Sequence, residues 1–178
     1  MKRFFCTRFF LLLLYVLCFI SISEAVQPGS YRVTEVNDGD TVTIRTSSFI
    51  GIPFKTERVR LIGIDAPELK QENWGRKSKR YLKKLISDND WVVRLELDVD
   101  QRDKYGRLLG YLWDNRGRMI NELMVEHGHA LLYTIPPNVK YDERFITAQK
   151  RAQSKKVGVW HKGGLQKSPH QWREEHPR

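Results

Sequence analysis

"YRVTEVNDGDTVTIR", residues Tyr31–Arg45, sets two alternating runs of Val, Thr and Ile on either side of Asp38-Gly39-Asp40. β-Branched residues alternating with polar ones suit half-buried strands, and an Asp-Gly pair between such runs lets the chain reverse. The stretch therefore predicts two short strands, Tyr31–Asn37 and Thr41–Arg45, with Asp38-Gly39-Asp40 as their turn. Three further strands carry the same signature: Lys55–Leu61, Trp91–Leu97 in "WVVRLELD", and Leu108–Trp113 in "LLGYLW". Ser47 to Pro53 reads as a loop or hairpin tip.

Three segments switch to helical periodicity. In Trp74–Ser87 the apolar positions Trp74, Tyr81, Leu82 and Leu85 share one face, with Arg76, Lys77, Lys79, Arg80, Lys83 and Lys84 on the remainder. Met119–His127 aligns Ile120, Leu123 and Met124, and Gly128 stops it. Asp142–Lys156 aligns Phe145, Ala148 and Ala152, and its acidic start and basic end complement the helix dipole. Five short strands with helices inserted between and after them give an α+β domain built on a small barrel. From His161 onward, "HKGGLQKSPHQWREEHPR" is polar and aperiodic, and it reads as a flexible tail over residues 161–178.

The chain opens differently. Lys2, Arg3 and Arg8 precede an apolar run from Phe9 to about Ile22, followed by Ser23-Glu24-Ala25. That is the charged, apolar and small-residue order of a secretory signal, expected to occupy residues 1–25 and to be cleaved near Ala25. The uncharged run is short for a membrane span, which needs ~20 apolar residues; an uncleaved membrane anchor is the alternative. The expected domain is thus 26–160, in a protein that is secreted or periplasmic. Cys6 and Cys18 both lie in the leader, so the remainder has no cysteine. Disulfides, a thiolate nucleophile and cysteine-ligated zinc are excluded for that remainder. It carries 28 basic and 20 acidic residues, a net +8 after loss of three basic residues and Glu24. Such an excess draws a small protein to polyanions, nucleic acid among them.

Three polar clusters interrupt the strands. The first is "DGDT". The second, in "RVRLIGIDAPELK" (Arg58–Lys70), brings Asp65 and Glu68 out at the end of an apolar strand, with Arg60 upstream. Pro67 keeps Ala66 extended, which turns a backbone carbonyl outward. Two carboxylates and a fixed carbonyl are hard oxygen donors, suited to Ca²⁺ or Mg²⁺. The third is "DKYGR" (Asp103–Arg107), a turn with an arginine that can donate two parallel bonds to a phosphate. Taken singly, the second reads more simply as a solvated turn and the third as a surface arginine, while "DGDT" alone does not decide between a turn and a metal ligand. His127 and His129 stand two apart, so on a helix they face apart and make a poor zinc pair.

Together and in this order, "DGDT", "RLIGIDAPE" and "DKYGR" resemble the staphylococcal nuclease-like (thermonuclease) family. The likeness continues through "MINELMVEHGHA" and "AQSKKVGVW", covering roughly Tyr31 to Trp160. It implies a five-stranded OB-fold barrel with three helices. It also implies Asp40 and Asp65 as metal ligands, with Ala66 offering its carbonyl and Asp38 standing behind Asp40. Arg60, Glu68 and Arg107 would be catalytic, and Lys104, Tyr105 and Tyr133 would line a nucleotide. The implied activity is sugar-nonspecific endonucleolytic cleavage of DNA and RNA, with a preference for single strands and 3′-phosphate products. Ca²⁺ is the implied cofactor, with Mg²⁺ and Mn²⁺ as alternatives. A monomer with no stable protein partner is expected, touching membrane only if the leader is retained. The competing reading is a non-catalytic OB-fold module that binds nucleic acid. Two departures stand out: fifteen residues (Arg45–Val59) precede Arg60, a longer hairpin than is usual, and Ala66 replaces a more familiar threonine.

Overall fold

The computed structural model describes residues 29–46 and 55–177. The expected leader and the Ser47–Pro53 tip lie outside the described residues. Five strands close into a barrel: β1 (Ser30–Val36), β2 (Thr41–Thr46), β3 (Lys55–Leu61), β5 (Val92–Arg102) and β6 (Leu108–Trp113). Their order around the barrel is β1-β2-β3-β6-β5. All the contacts are antiparallel except β3 with β6, which is parallel. Two strands the sequence pattern did not suggest, β4 (Gly63–Asp65) and β7 (Leu131–Tyr133), pair beside the barrel as a separate ribbon. This is the α+β barrel that the alternating runs imply, in the five-stranded OB form that the resemblance implies.

The three expected helices form as α1 (Trp74–Ser87), α2 (Ile120–Glu126) and α3 (Asp142–Lys155). In α3 the buried residues are the expected Phe145, Ala148 and Ala152. In α1 the buried face is Trp74, Gly75, Ser78, Leu82 and Ile86, while Tyr81 and Leu85 pack at its margin. One continuous core results, centred on Val42, Ile44, Val59, Leu61, Ile64, Leu112, Ile120, Met124 and Phe145.

The C-terminal segment departs from expectation. Instead of a structureless tail it carries a fourth helix, α4 (Pro169–Glu175). Ser168 accepts from the Gln171 N–H, the Gln171 side chain accepts from the Ser168 N–H in return, and Pro169 takes the first turn. This reciprocal cap satisfies donors that a helix start leaves orphaned.

Strand register places the polar clusters. Thr41 pairs with Arg60 and Arg60 with Leu109, so the end of the "DGD" turn, the arginine of "RLIGIDAPE" and the strand after "DKYGR" meet on adjacent strands. Buried Asn121 on α2 pins this junction. It accepts from Leu112 N–H (2.9 Å) and donates to the carbonyls of Ile62 (2.9 Å) and Gly110 (3.2 Å).

Candidate active site

Asp38 and Asp40 play different parts in the β1–β2 turn. The Asp38 carboxylate accepts from the Asp40 N–H (3.0 Å), the side-chain-to-backbone bond that lets Asp favour turns. Asp40 directs its carboxylate inward: Oδ1 accepts from Thr41 Oγ1 (3.1 Å) and Oδ2 from the Ala66 N–H (3.0 Å). Gly39 is required here for closeness and not for an unusual dihedral. A Cβ on it would lie 2.6 Å from Ala66 Cβ and 2.7 Å from Ser78 Cβ. The turn is thereby pressed between α1 and the loop after β4, and that contact brings Asp40 to Asp65.

Arg60 bridges the two aspartates. Its Nε stands 3.2 Å from Asp40 Oδ1 and its Nη2 3.4 Å from Asp65 Oδ1, while Nη1 donates to the carbonyls of Leu61 and Ile64 (2.9 Å to the latter). Asp65 is deeply buried, its side chain 3% exposed. Burial raises its pKa, the guanidinium groups of Arg173 and Arg60 pull it down, and the neighbouring Asp40 adds to the rise. Asp38, half-buried and beside Asp40, is raised to about 6 by the same two effects, burial first.

Glu68 sits three residues on, in a turn closed by Gln71. The Glu68 N–H donates to Gln71 Oε1 (3.2 Å) and the Gln71 N–H to the Glu68 carbonyl (2.7 Å). Helix α1 packs against that turn so tightly that a Cβ at Gly75 would stand 2.0 Å from the Glu68 carbonyl oxygen. Asp40, Arg60, Asp65 and Ala66 are therefore gathered by direct contacts, and Glu68 stands in the loop that follows them. Among the described residues no three His, Cys, Asp or Glu side chains cluster closely enough to hold an ion by themselves. The donor set suited to a cation is two carboxylates with backbone oxygen, which are hard donors of the Ca²⁺ and Mg²⁺ kind.

The remaining expected residues lie on two other elements, the β5–β6 turn and β7. Arg107 ends the β5–β6 turn, two residues before Leu109, the register partner of Arg60. Its Nε donates to Asp103 Oδ2 (2.7 Å), and its guanidinium lies 5.6 Å from the Tyr105 ring centroid. Lys104 Nζ lies 5.2 Å from the same ring, which is 73% exposed. Lys104, Tyr105 and Arg107 thus form one cationic and aromatic corner. Tyr133 closes β7 opposite Gly63, on the ribbon whose other strand ends in Asp65, and its ring faces His170 of α4 at 6.3 Å.

Sequence reasoning did not anticipate Arg173. From α4 it meets Asp65 with both arms, Nη1 to Oδ1 at 3.0 Å and Nη2 to Oδ2 at 2.8 Å, and Nη1 also reaches Glu68 Oε1 at 3.1 Å. Nor did it anticipate Gln71, 1% exposed, whose Nε2 donates to the Lys167 carbonyl (2.8 Å) and ties the Glu68 turn to the C-terminal segment. The signal for α4 was present in "SPHQ", a cap residue, a proline and a glutamine three after the cap. Nothing in the hydropathy of "QWREE" or "ELKQ" marks Arg173 as a partner of Asp65 or Gln71 as buried.

Residues 58–162 match the family described as "Staphylococcal nuclease homologue". The chain is 38% identical over 143 residues to the thermonuclease of Staphylococcus intermedius, covering 78% of this chain and 80% of that protein. It is 35% identical over 136 residues to the thermonuclease of Staphylococcus hyicus, covering 74% and 75%. It is also 34% identical over 134 residues to endonuclease YncB of Bacillus subtilis, covering 71% of this chain and 59% of that protein.

Proposed function

The chain belongs to the staphylococcal nuclease family and is a phosphodiester-hydrolysing nuclease, and from that premise we propose its substrate, cofactor and residue roles. The protein is an exported, sugar-nonspecific endonuclease acting on DNA and RNA, with a preference for single strands and a requirement for a divalent cation, Ca²⁺ first. The observation that carries this reading is the convergence of Asp40, Arg60 and Asp65 from a turn and two strands onto one buried acidic point, with Glu68 in the following loop joined to Asp65 through Arg173.

Hydrolysis of a phosphodiester asks water to attack an anion, so charge neutralisation and positioning dominate the barrier. A Ca²⁺ held by Asp40, Asp65 and the Ala66 carbonyl would supply a Lewis acid at a non-bridging oxygen. Arg60, fixed by two backbone carbonyls, keeps its Nε and Nη2 edge at the same point and offers those donors to a phosphate oxygen. Arg107, in the turn that leads into β6 beside β3, would meet charge that accumulates on the equatorial oxygens. Glu68 accepts a proton from the attacking water or holds that water in line. The new P–O bond forms as the bond to the 5′ oxygen breaks, leaving a 3′-phosphate and a 5′-hydroxyl. Exposed Tyr105, with Lys104 beside it, gives an unstacked base a face to lie on, which favours flexible single strands.

The test is digestion of heat-denatured DNA and of RNA with Ca²⁺, with Mg²⁺ and with chelator, product ends being mapped by their sensitivity to a 3′-phosphatase. Ca²⁺-dependent cutting to 3′-phosphate ends supports the reading. Tight binding without cutting in any metal would make the protein a non-catalytic OB-fold module.

A further inference from the structure

Arg173 holds both oxygens of Asp65 and one of Glu68, which are the groups proposed above to bind metal and to activate water. A carboxylate engaged through both oxygens by a forked guanidinium has committed its best lone pairs. We propose that α4 is a built-in strap over the active site: its Arg173 occupies the cation position in the metal-free protein, and a divalent cation reaches Asp65 only by displacing it. The inference rests on the metal-dependent reading of the same site.

Three further observations point the same way. The strap covers substrate ground as well as the metal ligand, because His170 lies against Tyr133. It has a fixed root: Gln71 grips Lys167, Leu165 N–H donates to the Val159 carbonyl (3.1 Å), and Pro169 is buried. Beyond that root its hold is slight. α4 has seven residues, of which Pro169 alone is buried, and helices this short are marginal in water without docking. The Arg173 side chain is 36% exposed, so the guanidinium has a route out to solvent. A firm root, a helix whose end is tied back to that root by Lys167 and Glu175 (2.6 Å), and one ion-paired arginine reaching the site make a segment that can lift and reseat as a unit.

Magnitude follows from occupancy. A strap closed for 90–99% of the time weakens apparent cation affinity by roughly 10- to 100-fold, since only the open fraction binds. The reciprocal effect is required: Ca²⁺ at Asp65 must loosen α4.

The experiment is calorimetric titration of Ca²⁺ into the wild-type protein and Arg173→Gln, with hydrogen exchange at residues 165–177 read with and without Ca²⁺. The proposal expects Arg173→Gln to bind Ca²⁺ about 10- to 100-fold more tightly, and Ca²⁺ to speed exchange across α4 in the wild type. Cleavage by the variant should exceed wild type at low Ca²⁺ and match it at saturation. Unchanged or weakened Ca²⁺ binding by Arg173→Gln, with α4 exchange indifferent to Ca²⁺, overturns the strap. So does a lower saturating rate at unaltered Ca²⁺ affinity, which would make Arg173 a third phosphate-binding arginine. Failure of the nuclease reading is visible separately, as Ca²⁺ binding without cleavage.

Discussion

Gly39→Ala perturbs the contact on which convergence of the site depends. The added Cβ would lie 2.6 Å from Ala66 Cβ and 2.7 Å from Ser78 Cβ, where carbon atoms settle at ~3.5–4.0 Å. Both neighbours are fixed to backbone, so no side-chain rotation relieves the overlap, and the turn must back away by about 1 Å. Overpacking of this kind costs ~1–3 kcal/mol. Retreat also lengthens the bond from Ala66 N–H to Asp40 Oδ2, and losing a hydrogen bond to a charged acceptor costs ~1.5–3 kcal/mol. The reduced freedom of the unfolded chain returns ~0.4–1 kcal/mol. The net expectation is a loss of about 1.5–5.5 kcal/mol, read as a lower urea midpoint by tryptophan fluorescence. Ca²⁺ affinity should weaken in parallel, because Asp40 moves relative to Asp65. Adding Ala66→Gly removes the 2.6 Å contact and should restore part of both losses. A Gly39→Ala protein within ~0.5 kcal/mol of wild type, the range of an ordinary surface change, would refute the reasoning.

Asn121→Ala orphans the Leu112 N–H and the Ile62 carbonyl in the core, and should lower the unfolding free energy by ~2–5 kcal/mol in urea titration. Gly75→Ala would set a Cβ 2.0 Å from the Glu68 carbonyl, so cleavage should fall more than tenfold while calorimetric Ca²⁺ binding changes little. His129, stacked on Tyr81 at 4.1 Å, has its pKa lowered to about 4, by burial first and then by His127 and Lys77. It stays neutral when folded and takes up a proton at about 6.5 when unfolded, so its stabilisation is complete above pH 6.5 and is lost as pH falls toward 4. Discounted for its partial exposure to solvent this amounts to ~1–3 kcal/mol, and His129→Phe should flatten that part of the stability profile measured by denaturant titration.

The barrel was legible because its strands alternate: β3 and β6 fall where the pattern puts them, and β1 and β2 differ by a residue at their ends. β5 runs on from Leu97 to Arg102, because the acidic "DVDQR" is held by its neighbours, with Tyr111 donating to Asp98 and Asn138 exchanging two bonds with Asp100. Strands β4 and β7, three residues each, are too short to show a period and exist because they pair with one another. The carboxylates and Arg60 were legible as motifs, yet the reason for Gly39 was not: a turn glycine and a close-approach glycine read alike in sequence. Gln71, Asn121 and Arg173 escaped because their polar side chains find partners far along the chain, up to 108 positions away for Arg173 and Asp65. Hydropathy records what a residue is and not what it will meet.

The central claim is that Glu68 and its neighbours carry out the hydrolysis. Its most direct test is single-turnover cleavage of an end-labelled single-stranded oligonucleotide in saturating Ca²⁺ by wild type and Glu68→Gln, with the affinity of each for the same strand. Binding within a few-fold of wild type, with cleavage slowed ~10²–10⁴-fold, is the expected result for a residue that handles the attacking water. Cleavage by Glu68→Gln at the wild-type rate would contradict the account and place the chemistry elsewhere on the barrel.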